Sequence, residues 1–325
     1  MTDIWVYPLG AALGKEAVSA AELVEEYGPV REDFLTRTGF RQLYRAGHDQ
    51  TGLSMAIDAI GSQESSWWSE SVDTVIYVTS TGDLVAPGNA HLLQNRLGLK
   101  SGLQLFDFND ACTGFVKALH LANSLIAAGA STTVLLVLSD TYSKLYDPSN
   151  LRVSPLFSDG ASATIVSATR LEGATVPPRH WRVRAQHFLS DGSAADQLAI
   201  SRGDDALPLG SLEMNGAGVL NFVLKHLRAT IASLDEQAGV ETADVGTWYV
   251  HQGSRTVVSA VMKALGTDVE LFRSGDYGNT VGSSLPFQLV EDRAESGTPG
   301  LIGLLAFGVG LTMAGMIIEQ LSTDE

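Results

Sequence analysis

Residues 103–115 read LQLFDFNDACTGF: a short run rich in apolar and aromatic residues, a polar turn at Asn109–Asp110, then a cysteine opening an apolar segment. The run predicts a strand over Leu103–Phe108. The apolar face through Phe115, Leu119, Leu121 and Ile126 predicts a helix over Gly114–Ala128, and TVLLVLS (Thr133–Ser139) predicts a buried strand after it. The same succession returns in the second half: a strand at Val269–Phe272, a turn at Ser274–Gly278, a helix start near Asn279 and a strand from Leu301. From Cys112 to Val134 is 22 residues (134 − 112), and from Asn279 to Leu301 is again 22 (301 − 279). Two related halves follow, with Cys112 and Asn279 at related helix starts.

Working outward, further buried strands are predicted at Asp73–Thr79, Ala163–Ser167 and Gly246–Val250, with a second helix over Leu220–Leu234. Strands alternating with helices predict an α/β protein with mostly parallel sheets. The halves divide as 1–170, carrying Cys112, and 171–325, carrying His251 and Asn279. The stretch from Arg170 to Met214, with PP, RGDD and LPLG, reads as the crossover between them. The uncharged run Leu301–Ile318 is long enough for a membrane span. Its four glycines, Gly303, Gly308, Gly310 and Gly315, favour two buried strands joined by a tight turn instead.

The chain has 325 residues, 45% of them apolar and 18% charged, enough to bury a large core. Its 37 acidic against 21 basic residues give a net charge of −16, which opposes general nucleic-acid binding. One cysteine permits neither an internal disulfide nor a multi-thiolate zinc site, and fits a reducing, cytoplasmic setting. The first twenty residues lack the basic start and unbroken apolar run of a signal peptide. No close ligand spacing of histidines or carboxylates implies a metal.

Cys112 lies between a strand and a helix, where unpaired amides and the helix dipole favour a thiolate nucleophile, although a lone cysteine is most often a small buried apolar residue. His251 follows the strand TWYV and precedes QGSR, at the strand end where open α/β sheets bind ligands. Asn279, in GDYGNTVGSS, reads by itself as an ordinary cap or turn residue. Together a thiol, an imidazole and a carboxamide supply a nucleophile and two donors to an enolate-like oxygen.

DACTGF, VHQGSR and YGNTVGSSLP, with RTGF (37–40), FSDGASA (157–163) and AFGVGLT (306–312), occur in an order that resembles the β-ketoacyl-acyl carrier protein synthase III family of the thiolase superfamily. The resemblance covers nearly the whole chain. It implies five layers, αβαβα, built from two duplicated halves. It also implies that Cys112 takes an acyl group from a thioester, that His251 and Asn279 stabilise a malonyl-derived enolate, and that backbone amides at Cys112 and around Val309 receive the oxyanion. Arg37, Leu156, Phe157 and Met214 would bind substrate. No cofactor is implied beyond coenzyme A or the phosphopantetheine of an acyl carrier protein bringing the substrate, and the family implies a homodimer.

Three positions depart from the family. Asp33 stands where typical bacterial members carry a tryptophan that stacks on the adenine of coenzyme A, and an acid there repels nucleotide phosphates. Met214-Asn215-Gly216-Ala217 replaces a Met-x-Gly-Asn motif, and His251-Gln252-Gly253-Ser254 replaces His-Gln-Ala-Asn. The catalytic set is kept while donor recognition changes, which suggests a specialised enzyme of fatty acid, polyketide or secondary metabolism. Two other readings are acyl transfer from Cys112 to an alcohol or amine, and a silent partner subunit, against which the surviving triad argues. A hydrolase is possible if water reaches the acyl-enzyme. An acidic carrier protein meeting this acidic chain would need a local basic patch, for which Arg37, Arg41, Arg45, Lys225, Arg228 and Arg255 are the candidates.

Overall fold

The computed structural model describes residues 2–28, 33–61, 67–203, 206–292 and 298–323. The amino-terminal half opens with β1 (Asp3–Leu13) and a small hairpin of β2 (Glu16–Ser19) and β3 (Gln42–Arg45), between which lie α1 (Ala20–Tyr27) and α2 (Phe34–Thr38). It continues through α3 (Gly52–Ile60), β4 (Thr74–Val78), α4 (Asn89–Arg96), β5 (Gln104–Phe108), α5 (Gly114–Ala127), β6 (Thr133–Asp140) and β7 (Gly160–Ser167). The carboxyl-terminal half repeats the plan from β8 (Arg179–Ser190). After a second hairpin, β9 (Leu198–Ser201) and β10 (Ser211–Met214), come α6 (Gly216–Ala238), β11 (Val245–Val250), α7 (Arg255–Leu265), α8 (Ser284–Glu291), β12 (Gly300–Gly308) and β13 (Thr312–Leu321).

Nine strands form one hydrogen-bonded sheet in the order β11-β12-β13-β8-β1-β7-β6-β4-β5. The order is symmetric about the antiparallel pair β1–β8, which places β4, β6 and β7 opposite β11, β12 and β13. Only β4–β5, β4–β6 and β11–β12 pair in parallel, so the sheet is mixed rather than mostly parallel. The expected strand at Val269–Phe272 is absent: this stretch is irregular, and Gln252 caps it by donating to Leu271 O and accepting from Arg273 N.

Alternation along the strands builds the layers. Val75 and Tyr77 of β4 face α3 and α4, where Met55, Ala56, Ala90 and Leu93 are buried, while Ile76 and Val78 face α5. That inner core also holds Leu285 and Leu289 of α8 together with Ile302, Leu304, Ala314 and Met316 of β12 and β13. On the far side, Leu305, Met313 and Ile317 pack under α6 and α7. The succession is α3/α4, sheet, α5/α8, sheet, α6/α7: five layers, αβαβα.

Besides the four short hairpin strands, two strands of the nine-stranded sheet are not predicted, and they are the pair that joins the halves. In β1, Pro8 and Gly10 interrupt the apolar run at a bulge. In β8, RHWRVRAQHFLS carries arginines at 179, 182 and 184 that break the apolar alternation, and Arg182 answers Asp3 at 2.7 Å on β1 and Glu319 on β13. The supposed crossover therefore contains a central strand and the β9–β10 hairpin, and Asp204 and Asp205 of its RGDD lie outside the described residues. The run Leu301–Ile318 forms β12 and β13, as its glycines predicted. Among the described residues no helix is long and apolar enough to cross a membrane.

Candidate active site

The inner helices α5 and α8 each begin in a short 3-10 turn, Ala111–Thr113 and Val281–Ser283. Ala111 (φ 39°) and Val281 (φ 53°) are the only non-glycine residues at positive φ among the described residues, one ahead of each turn's second residue. The halves therefore match Ala111 to Val281 and Cys112 to Gly282, so Asn279 corresponds to Asn109. The two steps of 22 coincided because the second helix is shorter and Asn279 lies two residues ahead of its turn. The turns pack on each other closely, since a Cβ on Gly282 would stand 2.9 Å from Ala111 O.

Cys112 is buried at the start of that turn, and Gly308, the last residue of β12, presses on it: a Cβ there would fall 2.7 Å from Cys112 Cβ and 2.9 Å from Sγ. Burial pushes the thiol up, and the carboxylates of Asp140 and Asp110 add to this. The thiolate expected from helix position alone is thus corrected: desolvation outweighs the single backbone hydrogen bond that favours the anion.

His251 directly follows β11, with its backbone N–H on Leu305 O at 2.8 Å and its ring edge-on to Phe307, 5.3 Å between centroids. Burial lowers it to about 3, so the ring is neutral. Its loop is held by a residue the sequence reading passed over. Gln252 is wholly buried and donates to Val250 O and Leu271 O at 2.9 Å each, while its backbone N–H donates to Ser284 Oγ at 2.8 Å. The available signal was a polar Gln directly after the strand-end histidine.

Asn279 is clamped by its backbone, N–H to Leu156 O at 3.0 Å and O from Ser158 N–H at 2.9 Å. Its Oδ1 accepts from Val281 N–H at 2.9 Å, which fixes the amide and turns the NH2 to the other side. The preceding Gly278 (φ 73°) cannot carry a side chain, because a Cβ would stand 2.6 Å from both Ser158 Oγ and Leu43 Cδ2.

Cys112, His251 and Asn279 line one cavity of about 780 Å³, together with Arg37, Leu156, Phe157 and Met214. The wall also includes Phe307 and Gly308, but Val309 lies just beyond it, half-buried, with its carbonyl accepting from Thr312 Oγ1 at 2.7 Å. At the rim, Asp33 pairs with Arg37 at 3.7 Å, so the acid is neutralised locally rather than standing alone. Arg152, also at the rim, was missed by the sequence reading; it is exposed and has no ion pair among the described residues. Asn215 of the altered motif caps α6, accepting from Gly218 N–H and donating to Gln197.

The expected basic patch is largely spent on local partners. Arg41 pairs with Asp276 at 2.6 Å, Arg255 stacks over Phe272 at 4.7 Å, and Arg45 is partly buried. Lys225 and Arg228 remain exposed on α6. Among the described residues no group of three or more histidine, cysteine or acidic side chains is arranged to hold a metal.

Residues 106–185 match the family described as 3-oxoacyl-[acyl-carrier-protein (ACP)] synthase III, and residues 236–320 match its C-terminal counterpart. A β-ketoacyl-[acyl-carrier-protein] synthase III of Rhizobium johnstonii is 32% identical over 320 residues, covering 95% of this chain and 97% of its own. The crystal structure of the corresponding enzyme from Thermus thermophilus superimposes with a TM-score of 0.85 at 27% identity, covering 99% of this chain and 100% of its own. That from Pseudomonas aeruginosa gives 0.83 at 30% identity and covers 98% of each. Duplicated five-layer fold, motif order and near full-length identity agree, and the chain belongs to the 3-oxoacyl-[acyl-carrier-protein] synthase III family.

Proposed function

We propose that this protein is a condensing enzyme that uses Cys112, His251 and Asn279 to join an acyl thioester to a malonyl thioester. Cys112 Sγ attacks the donor's carbonyl carbon, its proton leaves to the departing carrier thiol, and an acyl-Cys112 thioester results. A malonyl thioester then loses carbon dioxide. Neutral His251 and the NH2 of Asn279 donate to the enolate oxygen, whose negative charge would otherwise face a dry site. The enolate carbon attacks the acyl-Cys112 carbonyl, backbone amides at Cys112 and Val309 take the oxyanion, and Sγ departs as a thiolate that takes a proton from solvent as the β-ketoacyl thioester leaves.

The observation that carries this reading is one cavity whose floor holds buried thiol, neutral imidazole and oriented carboxamide together. A histidine held to about 3 is a weak base and a good neutral donor, which favours condensation over base-assisted transfer to an alcohol or amine. The division near residue 170 separates the nucleophile in one half from the two enolate donors in the other.

At the rim, the Asp33–Arg37 pair leaves less positive charge for a nucleotide's phosphates. With Lys225 and Arg228 left exposed on α6 for an acidic partner, this supports an acyl carrier protein as the preferred donor in a specialised role. A homodimer fits the open edge at β5. Half-exposed Leu105 and Phe106 lie on that edge, and the loop carrying exposed Leu84 and Val85 is pinned beside it by Asp107, which accepts from Ala90 N–H.

Intact-protein mass spectrometry with matched acyl-coenzyme A and acyl carrier protein thioesters tests the reading. Acyl adducts should form, vanish in Cys112→Ala, appear faster from the carrier protein and be discharged as β-ketoacyl product by malonyl thioester. Absence of any adduct would sink it, and an adduct indifferent to malonyl thioester but discharged by an alcohol or amine would replace condensation with transfer.

A further inference from the structure

Val309 follows Gly308, which packs against Cys112 and pairs with Thr312 to close the β12–β13 hairpin, and at the far side of the turn Leu311 O accepts from Asp191 N–H at 2.8 Å. On the Val309 side the turn is held by a chain of two hydroxyls. Thr312, the first residue of β13, donates its one proton to Val309 O at 2.7 Å. Its Oγ1 also lies 3.1 Å from Thr113 Oγ1, and both residues are buried. Thr113 immediately follows the nucleophile.

Proton counting gives the chain a direction. Since Thr312 spends its hydrogen on Val309, it must accept from Thr113. Thr113 has two competing acceptors, Asp110 O at 3.3 Å and Asp110 Oδ2 at 3.1 Å. A bare carboxylate would win that competition, because hydrogen bonds to charged acceptors are stronger than those between neutral hydroxyls. Lys117 Nζ sits 2.6 Å from Asp110 Oδ1 and satisfies much of the carboxylate's demand. Lys117 thus anchors the other oxygen of Asp110, and Thr113 ties the Asp110 end of the turn to Thr312, which holds Val309 O.

We propose that Thr113 and Thr312 are positioning residues, a two-hydroxyl clamp that ties the turn after β12 to the nucleophile's turn and thereby sets the backbone amide that receives the oxyanion. The proposal rests on the condensing reading above. Neither hydroxyl touches substrate; both act through the backbone at Val309. The turn has little slack of its own, since a Cβ on Gly308 would collide with Cys112 and one on Gly310 with Thr312 Cγ2 at 2.5 Å. A rotation of the Val309 peptide is therefore the motion left for the clamp to prevent.

Thr113→Val and Thr312→Val remove each hydroxyl at nearly constant shape. The test compares them in the full chain by the rate of acyl-Cys112 formation and by kcat and KM for condensation. Each should slow acylation and lower kcat by about ten- to a hundredfold, below the loss of an oxyanion donor itself, with KM within about twofold. The double variant should be no worse than the poorer single one, because two links of one chain fail together. Thr312→Ser, which keeps the hydroxyl, should recover most of the rate.

Single variants that acylate at the wild-type rate would overturn the clamp while the Cys112→Ala control keeps the condensing reading standing. Losses that multiply in the double variant, or a Thr312→Ser as slow as Thr312→Val, would reassign both residues to packing. A wild-type chain that forms no adduct would remove the condensing reading and the clamp with it.

Discussion

At Cys112, helix position and burial act in opposite directions. The turn before α5 offers amides to an anion, but the thiol is enclosed, faces Asp140 and Asp110 electrostatically, and is pushed above its ordinary value of 9.0. Iodoacetamide alkylation of the free protein should therefore accelerate with pH up to at least 9, with no plateau between pH 6 and 8. A plateau there, followed by peptide mass mapping of Cys112, would return the balance to the helix dipole. The identities of Cys112, His251 and Asn279 were legible in the sequence because thiol, imidazole and carboxamide sat at three element boundaries. The ionisation of the thiol was not, since it depends on which residues close over it. Gln252 and Arg152 were missed for a related reason: a buried clamp and a rim cation look alike among polar loop residues until the chain around them is folded.

At the scale of the element, β12 carries both architecture and chemistry, and its glycines separate the two. Gly303 lies under the ring of Trp248 on β11, and a Cβ there would stand 2.2 Å from the ring. Gly308 faces Cys112. Gly303→Ala should cost about 1–3 kcal/mol in urea unfolding by overpacking, while variant that still folds keeps a near-normal acylation rate per active molecule. Gly308→Ala should do the reverse, losing acylation by about a hundredfold or more with a smaller change in the unfolding midpoint. Equal effects of the two on stability and on acylation would contradict this division. The pair of strands and their glycine turn were readable from an uncharged run broken by Gly303, Gly308, Gly310 and Gly315. Strands β1 and β8 were not readable, because a bulge at Pro8–Gly10 and the charges of Arg182 and Arg184 hide their period. Those charges are matched across strands by Asp3 and Glu319, a pairing that only the register supplies.

For the whole molecule, two buried groups give opposing pH dependence. His251 is neutral when folded and ordinary when unfolded, so the unfolded chain binds the extra proton below 6.5 and stability falls as pH drops from 6.5 toward 3. Asp140, raised to about 7 by burial, binds its proton more tightly when folded, so its contribution is present at low pH and is lost as pH rises from 3.8 to 7. Melting temperature against pH should lose the acid-side decline in His251→Asn and lose the decline toward neutrality in Asp140→Asn. Parallel shifts of both curves at every pH would count against this assignment. The open edge at β5 carries a separate expectation: light scattering should give twice the chain mass, and Val85→Asp should shift it toward the monomer. By itself, the sequence determined the duplicated α/β plan and the order of the motifs, and it singled out the thiol, imidazole and carboxamide proposed to react, because periodicity and residue chemistry are local properties. Only the tertiary structure decided that Cys112 answers Gly282 rather than Asn279, that β1 and β8 fuse two sheets into one, that Asp33 is paired with Arg37, and that the thiol rests protonated. Each of these depends on register, on contact across distant segments or on exclusion of water, and none of those is written in neighbouring residues.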